Sequence, residues 1–494
     1  MKKKLYVSAI ILCISVGVKP LMAQNAIDSL KPGYWYEIPN SHMADSVEAD
    51  PTGEWIGGTG PVSLMSAWSG GAFDSKRNRL MIWGGGHYDY WGNALYAFDV
   101  NTLDWHRLTN NSSMKGWRDS ITVTGKDTTV QVECHSTMPD GLPVARHTYG
   151  GLTYVPDPID RLWANGGACI KCGFVDSLTW EFNFTNNTWQ RKANEQLFPG
   201  PGNICAYDPV TQTVILQTGG QFLLQVYNLS KDTWVINNNT GTGNPNPWCP
   251  YGGFTYYATG AVDPDSHHFV AIGGGGTYDW DMNSSNSWCY TTPRSQGDTT
   301  VTDSLNPGFV WDAAAHLFVG WAGGANVWTV DPKTWTWKKN LPASGNTVIP
   351  TNPPPTGTYG RFQYIPSKNA FIAVNSINQN VYAYKLDNLK GITTGTNKLN
   401  SPDPDFITKV YPNPLQLLTH NNGLTITVSE TNFIIEITNL MGQEINRMKS
   451  NGSNVILWNG KDLNGNNVSA GIYVYRIVAS GGQLVQTGKI SVIE

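Results

Sequence analysis

Charge is scarce in this chain. Lys, Arg, Asp and Glu make up 14 % of its 494 residues, with a formal net charge of −4 and no basic block. Such a surface gathers neither nucleic-acid phosphates nor anionic lipid headgroups, so both are excluded as expected partners. After residue 23 no apolar run approaches the roughly 18 residues of a membrane-spanning helix. The spacings G-x-S-x-G, H-E-x-x-H and the P-loop pattern are missing too, which removes the usual signatures of serine hydrolases, zinc peptidases and nucleotide enzymes.

What is abundant is glycine (52), tyrosine (22) and tryptophan (20), a composition of aromatic strands and tight turns. The fold class expected is all-β. The chain opens MKKK, continues LYVSAIILCISVGV and reaches LMAQ, which reads as an export leader over residues 1–23 with mature protein from Gln24. Cys13 lies in that leader, but Leu12 before it is too large for the usual lipobox. Six cysteines follow, Cys134, Cys169, Cys172, Cys205, Cys249 and Cys289, and in an exported chain they read first as disulfides.

A unit recurs along the chain. Its first copy is MSAWSGGAFD, a turn at SKRNR, LMIWGGG, NALYAFD, a turn, and DWHRL; the second is HTYGGLTYVPDPIDRLWANGG with LTWEFNFTNNTWQRK. The third is NICAYDPVTQTVILQTGG with LLQVYNLSKDTWVIN, the fourth GGFTYYATGAVDPDSHHFVAIGGGG, and the fifth PGFVWDAAAHLFVGWAGG with NVWTVDPKTWTWKK. A sixth, GRFQYIPSKNAFIAVNS with NVYAYKL, stops one strand short. GYWYEIP, Gly33 to Pro39, is an aromatic strand without a local partner and could supply that missing strand, removing an exposed edge.

Four short strands per unit at about 50 residues is the kelch period. The pairs Gly84-Gly85, Gly166-Gly167, Gly219-Gly220, Gly274-Gly275 and Gly323-Gly324, with Trp105, Trp189, Trp234 and Trp337 after them, resemble kelch-type β-propellers, of which the central domain of galactose oxidase is one. The resemblance implies six blades, or seven if the insertion from Asn110 to Leu142 hides a degenerate one. A polar Gly/Thr/Pro linker follows. Then VYPNP, FIIEITNLMGQEI, WNGKDLNGNNVSAGIYVYR and a final strand GKISVIE resemble the C-terminal sorting domain of the type IX secretion system of Bacteroidetes, a small β-sandwich. The expected organisation is a leader over 1–23, a propeller over 24–386, a linker over 387–409 and a sorting domain over 410–494. The resemblance implies the export machinery as a partner and a secreted or cell-surface location.

In a four-stranded blade the start of the first strand and the end of the second open on one face, near the central channel. That rule gathers His87, Tyr88, Asp89, Tyr90 and Trp91 from the loop GGGHYDYWGN, and Tyr278, Asp279 and Trp280 after another glycine pair. First-strand starts add Arg146, His147 and Tyr149, then Tyr251, Tyr359 and Arg361. Aromatic faces would stack on sugar rings, so the leading expectation is binding of an extracellular glycan or other polymer. The rival is a carbohydrate-active enzyme such as a polyuronate lyase, in which Arg146 holds a carboxylate while His87, His147 or Tyr149 moves a proton. Arg146 and His147 also suit the plainer role of satisfying buried carbonyls. A third reading is a protein-interaction platform.

No cofactor is expected with force. The copper chemistry of galactose oxidase needs a histidine and tyrosine set that is incomplete here, since there is no Tyr-His pair and His267, His268 and His316 fall in turns. Asp279, Asp281 and Asn283 in YDWDMNSSN resemble half a calcium loop without its closing glutamate, leaving a structural calcium site as a residual reading. The CIKC stretch reads as a loop disulfide or as halves of two bridges, and Cys249 with Cys289 could join the ends of the fourth unit.

Overall fold

The computed structural model describes residues 25–387 and 409–493, apart from stretches at 116–120, 125–126, 131–135, 171–174, 196–199, 220–223, 237–255, 284–289, 418–422, 429–430, 440–442 and 480–483. Six antiparallel sheets follow one another as blades. Blade one is Gly71–Asp74, Arg79–Ile82, Tyr96–Asp99 and Asp104–Arg107. Blade two is Leu152–Val155, Arg161–Asn165, Thr179–Asn183 and Thr188–Arg191. Blade three is Ile204–Asp208, Thr213–Gln217, Leu224–Asn228 and Thr233–Ile236. Blade four has three described strands, Thr259–Asp263, His268–Gly273 and Gly276–Asp281. Blade five is Gly308–Asp312, Leu317–Trp321, Val327–Asp331 and Thr336–Asn340, and blade six is Phe362–Ile365, Ala370–Ala373 and Tyr382–Tyr384. No seventh blade occurs among the described residues. The insertion after blade one contributes a single hairpin, Ile121–Thr124 with Asp127–Val130.

The turn chemistry explains why four of the six first hairpins form. Asp74, Asp208, Asp263 and Asp312 end their first strands almost wholly buried. Their carboxylates accept backbone N–H groups of Arg77, Val210, Asp265 and Ala314 at 2.8–3.0 Å, fixing the reversal before the second strand begins. His267 and His316 stand in these turns, but they do not face solvent alone. His267 Nε2 lies 2.9 Å from Asp208 of the preceding blade, and His316 pairs with Asp265.

First strands lie side by side in blade order, and the series passes from blade six back to blade one. Between blades the aromatic side chains interlock. Trp189 packs on Trp83 of blade one at 4.8 Å between ring centroids, and Trp234 on Trp163 of blade two at 5.8 Å. The N-terminal strand Trp35–Glu37 is the fourth strand of blade six, with Trp35 opposite Tyr384 and Glu37 opposite Tyr382. Trp35 is buried against Tyr384 and Trp321, and its indole N–H donates to Ala325 O at 2.9 Å.

The C-terminal unit is a separate pair of sheets. One holds Lys409–Tyr411, Leu424–Thr427 and Val455–Trp458; the other holds Leu415–Gln416, Leu484–Ile493, Gly471–Ala479, Phe433–Asn439 and Glu444–Lys449. Alternate residues Ile435, Ile437, Trp458, Tyr475 and Ile477 fill its core.

One cysteine expectation is overturned. Cys205 carries a free thiol buried in the core of blade three, so the six cysteines do not form three bridges. Cys169 Sγ lies 3.2 Å from Asp176 Oδ2. Cys134, Cys172, Cys249 and Cys289 lie outside the described residues, and with them the CIKC and Cys249–Cys289 pairings.

Replacing Trp35 by Ala should remove a large buried ring and unpair the tie between the two ends of the propeller. A loss of about 3–5 kcal/mol is expected, read as a lower denaturation midpoint by tryptophan fluorescence. A change under about 1 kcal/mol would mean the strand contributes little.

Candidate functional site

The mouth is built by residues in a left-handed backbone conformation. Trp68 (φ 47°), Tyr149 (φ 49°), Asn306 (φ 47°) and Tyr359 (φ 48°) each precede a first strand, and Gly202 (φ 71°) holds a similar place in blade three. This conformation turns each backbone into its neighbour's reach. Tyr149 N donates to Trp68 O at 2.7 Å, Gly150 N to Asn203 O at 2.9 Å, Asn306 N to Tyr257 O at 3.0 Å and Tyr359 N to Asn306 O at 3.1 Å. Non-glycine residues adopt it at a cost of about 1–2 kcal/mol each, so three bulky aromatics there mark a site whose surroundings hold them in place.

The loop GGGHYDYW lies over this rim. A Cβ on Gly86 would stand 2.1 Å from Arg146 Cα, so only glycine lets the loop cross the start of blade two so closely. His87 (φ 63°) follows and stacks on His147, with ring centroids 5.2 Å apart and planes 17° from parallel. Asp89 Oδ2 lies 2.8 Å from His147 Nε2, and Trp68 packs on that imidazole at 5.0 Å between ring centroids. Tyr149 meets His147 edge-on at 6.0 Å, and Tyr359 meets Tyr149 at 6.1 Å. The loop is braced from behind by residues ahead of blade one: Gly58 N donates to Tyr88 O, and Thr59 N and Gly60 N to Asp89 O.

Exposure sorts the cluster. Trp68 and Tyr88 are 39 % and 53 % exposed and His87 is half-buried, while His147, Tyr149 and Tyr359 are buried beneath them. Burial lowers the His87 pKa below 6.5, with Asp89 opposing. Burial also lowers that of His147, against its hydrogen bond to Asp89, and the neighbouring His87 lowers it further. Both imidazoles are therefore neutral at pH 7. Burial pushes the Tyr149 phenol up to about 12, so it carries no charge.

Several expected residues do other work. Arg146 is 1 % exposed; its Nη1 donates to Asp176 Oδ1 at 2.8 Å and to Gly166 O at 2.9 Å, and its guanidinium lies over Trp83. It does not stand between the two histidines. Arg361 is fully buried, donates to Met65 O and Gly357 O, and burial lowers its pKa to about 9. Tyr90 is packed in the core of blade one with its hydroxyl accepting from Asn111 Nδ2, and Trp91 is half-buried behind the loop, its backbone N–H donating to Trp55 O.

Tyr278, Asp279 and Trp280 are not in a mouth loop. Gly274 (φ 61°) and Gly275 (φ 91°) form a two-residue hairpin turn, so the chain re-enters the sheet at once and residues 276–281 run down it as the third strand. There Trp280 is buried, Tyr278 packs on Tyr290, and Asp279 lies 2.7 Å from His268 Nδ1. Asp281 accepts from Asn283 N and lies 3.7 Å from His268 Nε2, so both carboxylates of the calcium-like run are engaged by protein groups. Among the described residues no group of three His, Cys, Asp or Glu side chains is placed to hold a metal ion. Tyr251 lies outside the described residues.

Trp68 is the residue that sequence reasoning missed. Its signal was available in the repeat register, because an aromatic stands just ahead of the first-strand start in WSGG, YGG and YGR alike. Below the mouth, the first strands of all six blades line a channel cavity of about 300 Å³ whose lining includes Phe73, Tyr154, Tyr207, Trp311 and Tyr364 but neither histidine.

Residues 409–492 match the family described as the secretion system C-terminal sorting domain. The C-terminal unit is thus a type IX sorting domain, and it marks the chain for export to the cell surface or beyond. No curated protein matches the chain. Among solved structures it aligns with PorZ, a surface component of the type IX secretion system of Porphyromonas gingivalis, at TM-score 0.34 and 14 % identity, over 86 % of this chain and 51 % of that one. The chain therefore spans about half the length of PorZ. It also aligns with a fungal alcohol oxidase of the AA5 family, solved in complex with copper, at TM-score 0.37 and 12 % identity, over 89 % of this chain and 100 % of that one. Likeness at this level assigns neither activity nor site residues.

Two outcomes are expected from this geometry. Arg146→Met should cost about 3–5 kcal/mol of stability by stranding Asp176 in the interior, measured by chemical denaturation. A fold of unchanged stability would return Arg146 to the candidate ligand groups. In NMR titrations His87 and His147 should both titrate below 6.5, and Asp89→Asn should lower His147 further by removing the partner that favours its charged form. Because the folded values are depressed, the unfolded chain binds more protons as pH falls through about 6.5, and stability should decline there. Titration of either residue above 6.5 would contradict the arrangement.

Proposed function

We propose that the exported propeller binds an extracellular polymer, a glycan in the first instance, at its mouth. The observation that carries this reading is the placement of exposed Trp68 and Tyr88 around half-buried His87 and Asp89, which contact the buried His147. Aromatic faces present large apolar area at little entropic loss, while imidazole and carboxylate offer hydrogen bonds to hydroxyls.

A second reading, proton transfer in a carbohydrate-active enzyme, draws on the contact series Asp89, His147, His87, in which a carboxylate orients one neutral imidazole beside another. A polyuronate lyase also needs a cation for the substrate carboxylate. Arg146 and Arg361 both direct their donors to internal partners, which weakens that version.

Retention on immobilised polysaccharides checks the proposal directly. Binding to at least one polymer should fall about two- to tenfold in Trp68→Ala and again in Tyr88→Ala, the loss expected when an aromatic contact worth about 0.5–1.5 kcal/mol is removed. Equal retention of wild type and both variants would place the binding elsewhere. Incubation with polyuronates should yield no new ultraviolet absorbance from unsaturated products; its appearance, abolished in His87→Gln, would establish the lyase reading instead.

A further inference from the structure

The mouth has two exposed aromatic platforms, not one. Trp68 and Tyr88 form the first, on blade one. Tyr256 and Tyr257, 45 % and 46 % exposed, form the second at the start of blade four. The first strands neighbour one another in the order one to six and back to one, so blade four stands three places from blade one in either direction. The platforms therefore face each other across the mouth.

An aromatic floor adjoins the first platform. From Trp68 the ring contacts pass through His147 to Tyr149 and on to Tyr359 at 5.0, 6.0 and 6.1 Å. The backbone links this floor to the second platform through blade five, since Asn306 N donates to Tyr257 O and Tyr359 N donates to Asn306 O. Tyr149 and Tyr359 are buried, so the floor is sunk below both platforms. A ligand that touches both platforms must cross the mouth, because they belong to blades three places apart.

The charge of the groove is equally restrictive. Arg146 and Arg361 hold their guanidinium groups in the interior, and both histidines are neutral at pH 7. The half-buried carboxylate of Asp89 stands at the rim and repels anions.

We infer that the ligand is an uncharged polymer lying across the mouth as an extended chain, with one ring on Trp68 and Tyr88 and another several rings along on Tyr256 and Tyr257. This inference rests on the polymer-binding reading above and adds the ligand's charge and length to it.

The test uses the full chain against immobilised glucan, mannan and xylan, with polygalacturonate and alginate beside them, followed by calorimetry with oligomers of one to six rings cut from whichever polymer retains it. A neutral polymer should be retained, and affinity should climb with ring number, with a rise of about tenfold once both platforms are spanned. Trp68→Ala and Tyr257→Ala should each abolish that rise while leaving the short oligomers within a fewfold of one another, and Trp68→Phe should preserve it. Affinity flat from one ring upward, or insensitive to Tyr257→Ala, overturns the spanning chain while polymer binding stands. Preferential retention on the polyuronates overturns the uncharged ligand in the same way. Retention on none of the polymers overturns both this inference and the function on which it rests.

Discussion

The backbone hydrogen bonds that pass from blade to blade around the mouth are the constraint on which the site depends. Strand pairing stabilises each blade internally but says nothing about where the residues ahead of it point. The donations from Tyr149 N to Trp68 O, from Asn306 N to Tyr257 O and from Tyr359 N to Asn306 O fix those residues in left-handed conformations. Their side chains consequently gather at the mouth, where a residue of ordinary conformation would continue into its strand. Without that inter-blade stitching the aromatics would have no common destination.

The loop over blade one uses the same economy of backbone contact. Gly86 lets the chain cross Arg146 closely, the segment ahead of blade one supplies N–H donors to Tyr88 O and Asp89 O, and the result is a His87 ring laid flat on His147. Two neutral imidazoles can stack without repulsion only while burial keeps both uncharged. The chemistry of the mouth and its packing are thus one arrangement: hydrogen-bonding groups that carry no positive charge, framed by exposed aromatic faces.

Much of the architecture was legible because its causes are local. Apolar alternation recurs along the blades and glycine pairs in five of the six, and the unpaired strand around Trp35 answers the missing strand of blade six. The proximity of His87 and His147 followed from the same register. Arg146 was harder, because its partner Asp176 lies on a different segment and no spacing announces the ion pair. The glycine pair ahead of Tyr278 to Trp280 suggests a loop, yet two residues with positive φ are enough for a hairpin, and the strand resumes. Whether an aromatic such as Tyr90 faces the core or the mouth is decided by tertiary packing, to which composition is blind.

The central claim is that ligand meets the molecule at the mouth of the propeller. Hydrogen–deuterium exchange of the full chain, with and without a polymer that retains it, addresses this most directly. Protection is expected in residues 66–70, 86–91 and 256–259, with the outer strands of the blades and the C-terminal sheets unchanged. Protection confined to the outer strands or the C-terminal unit, with the mouth exchanging as before, would contradict it.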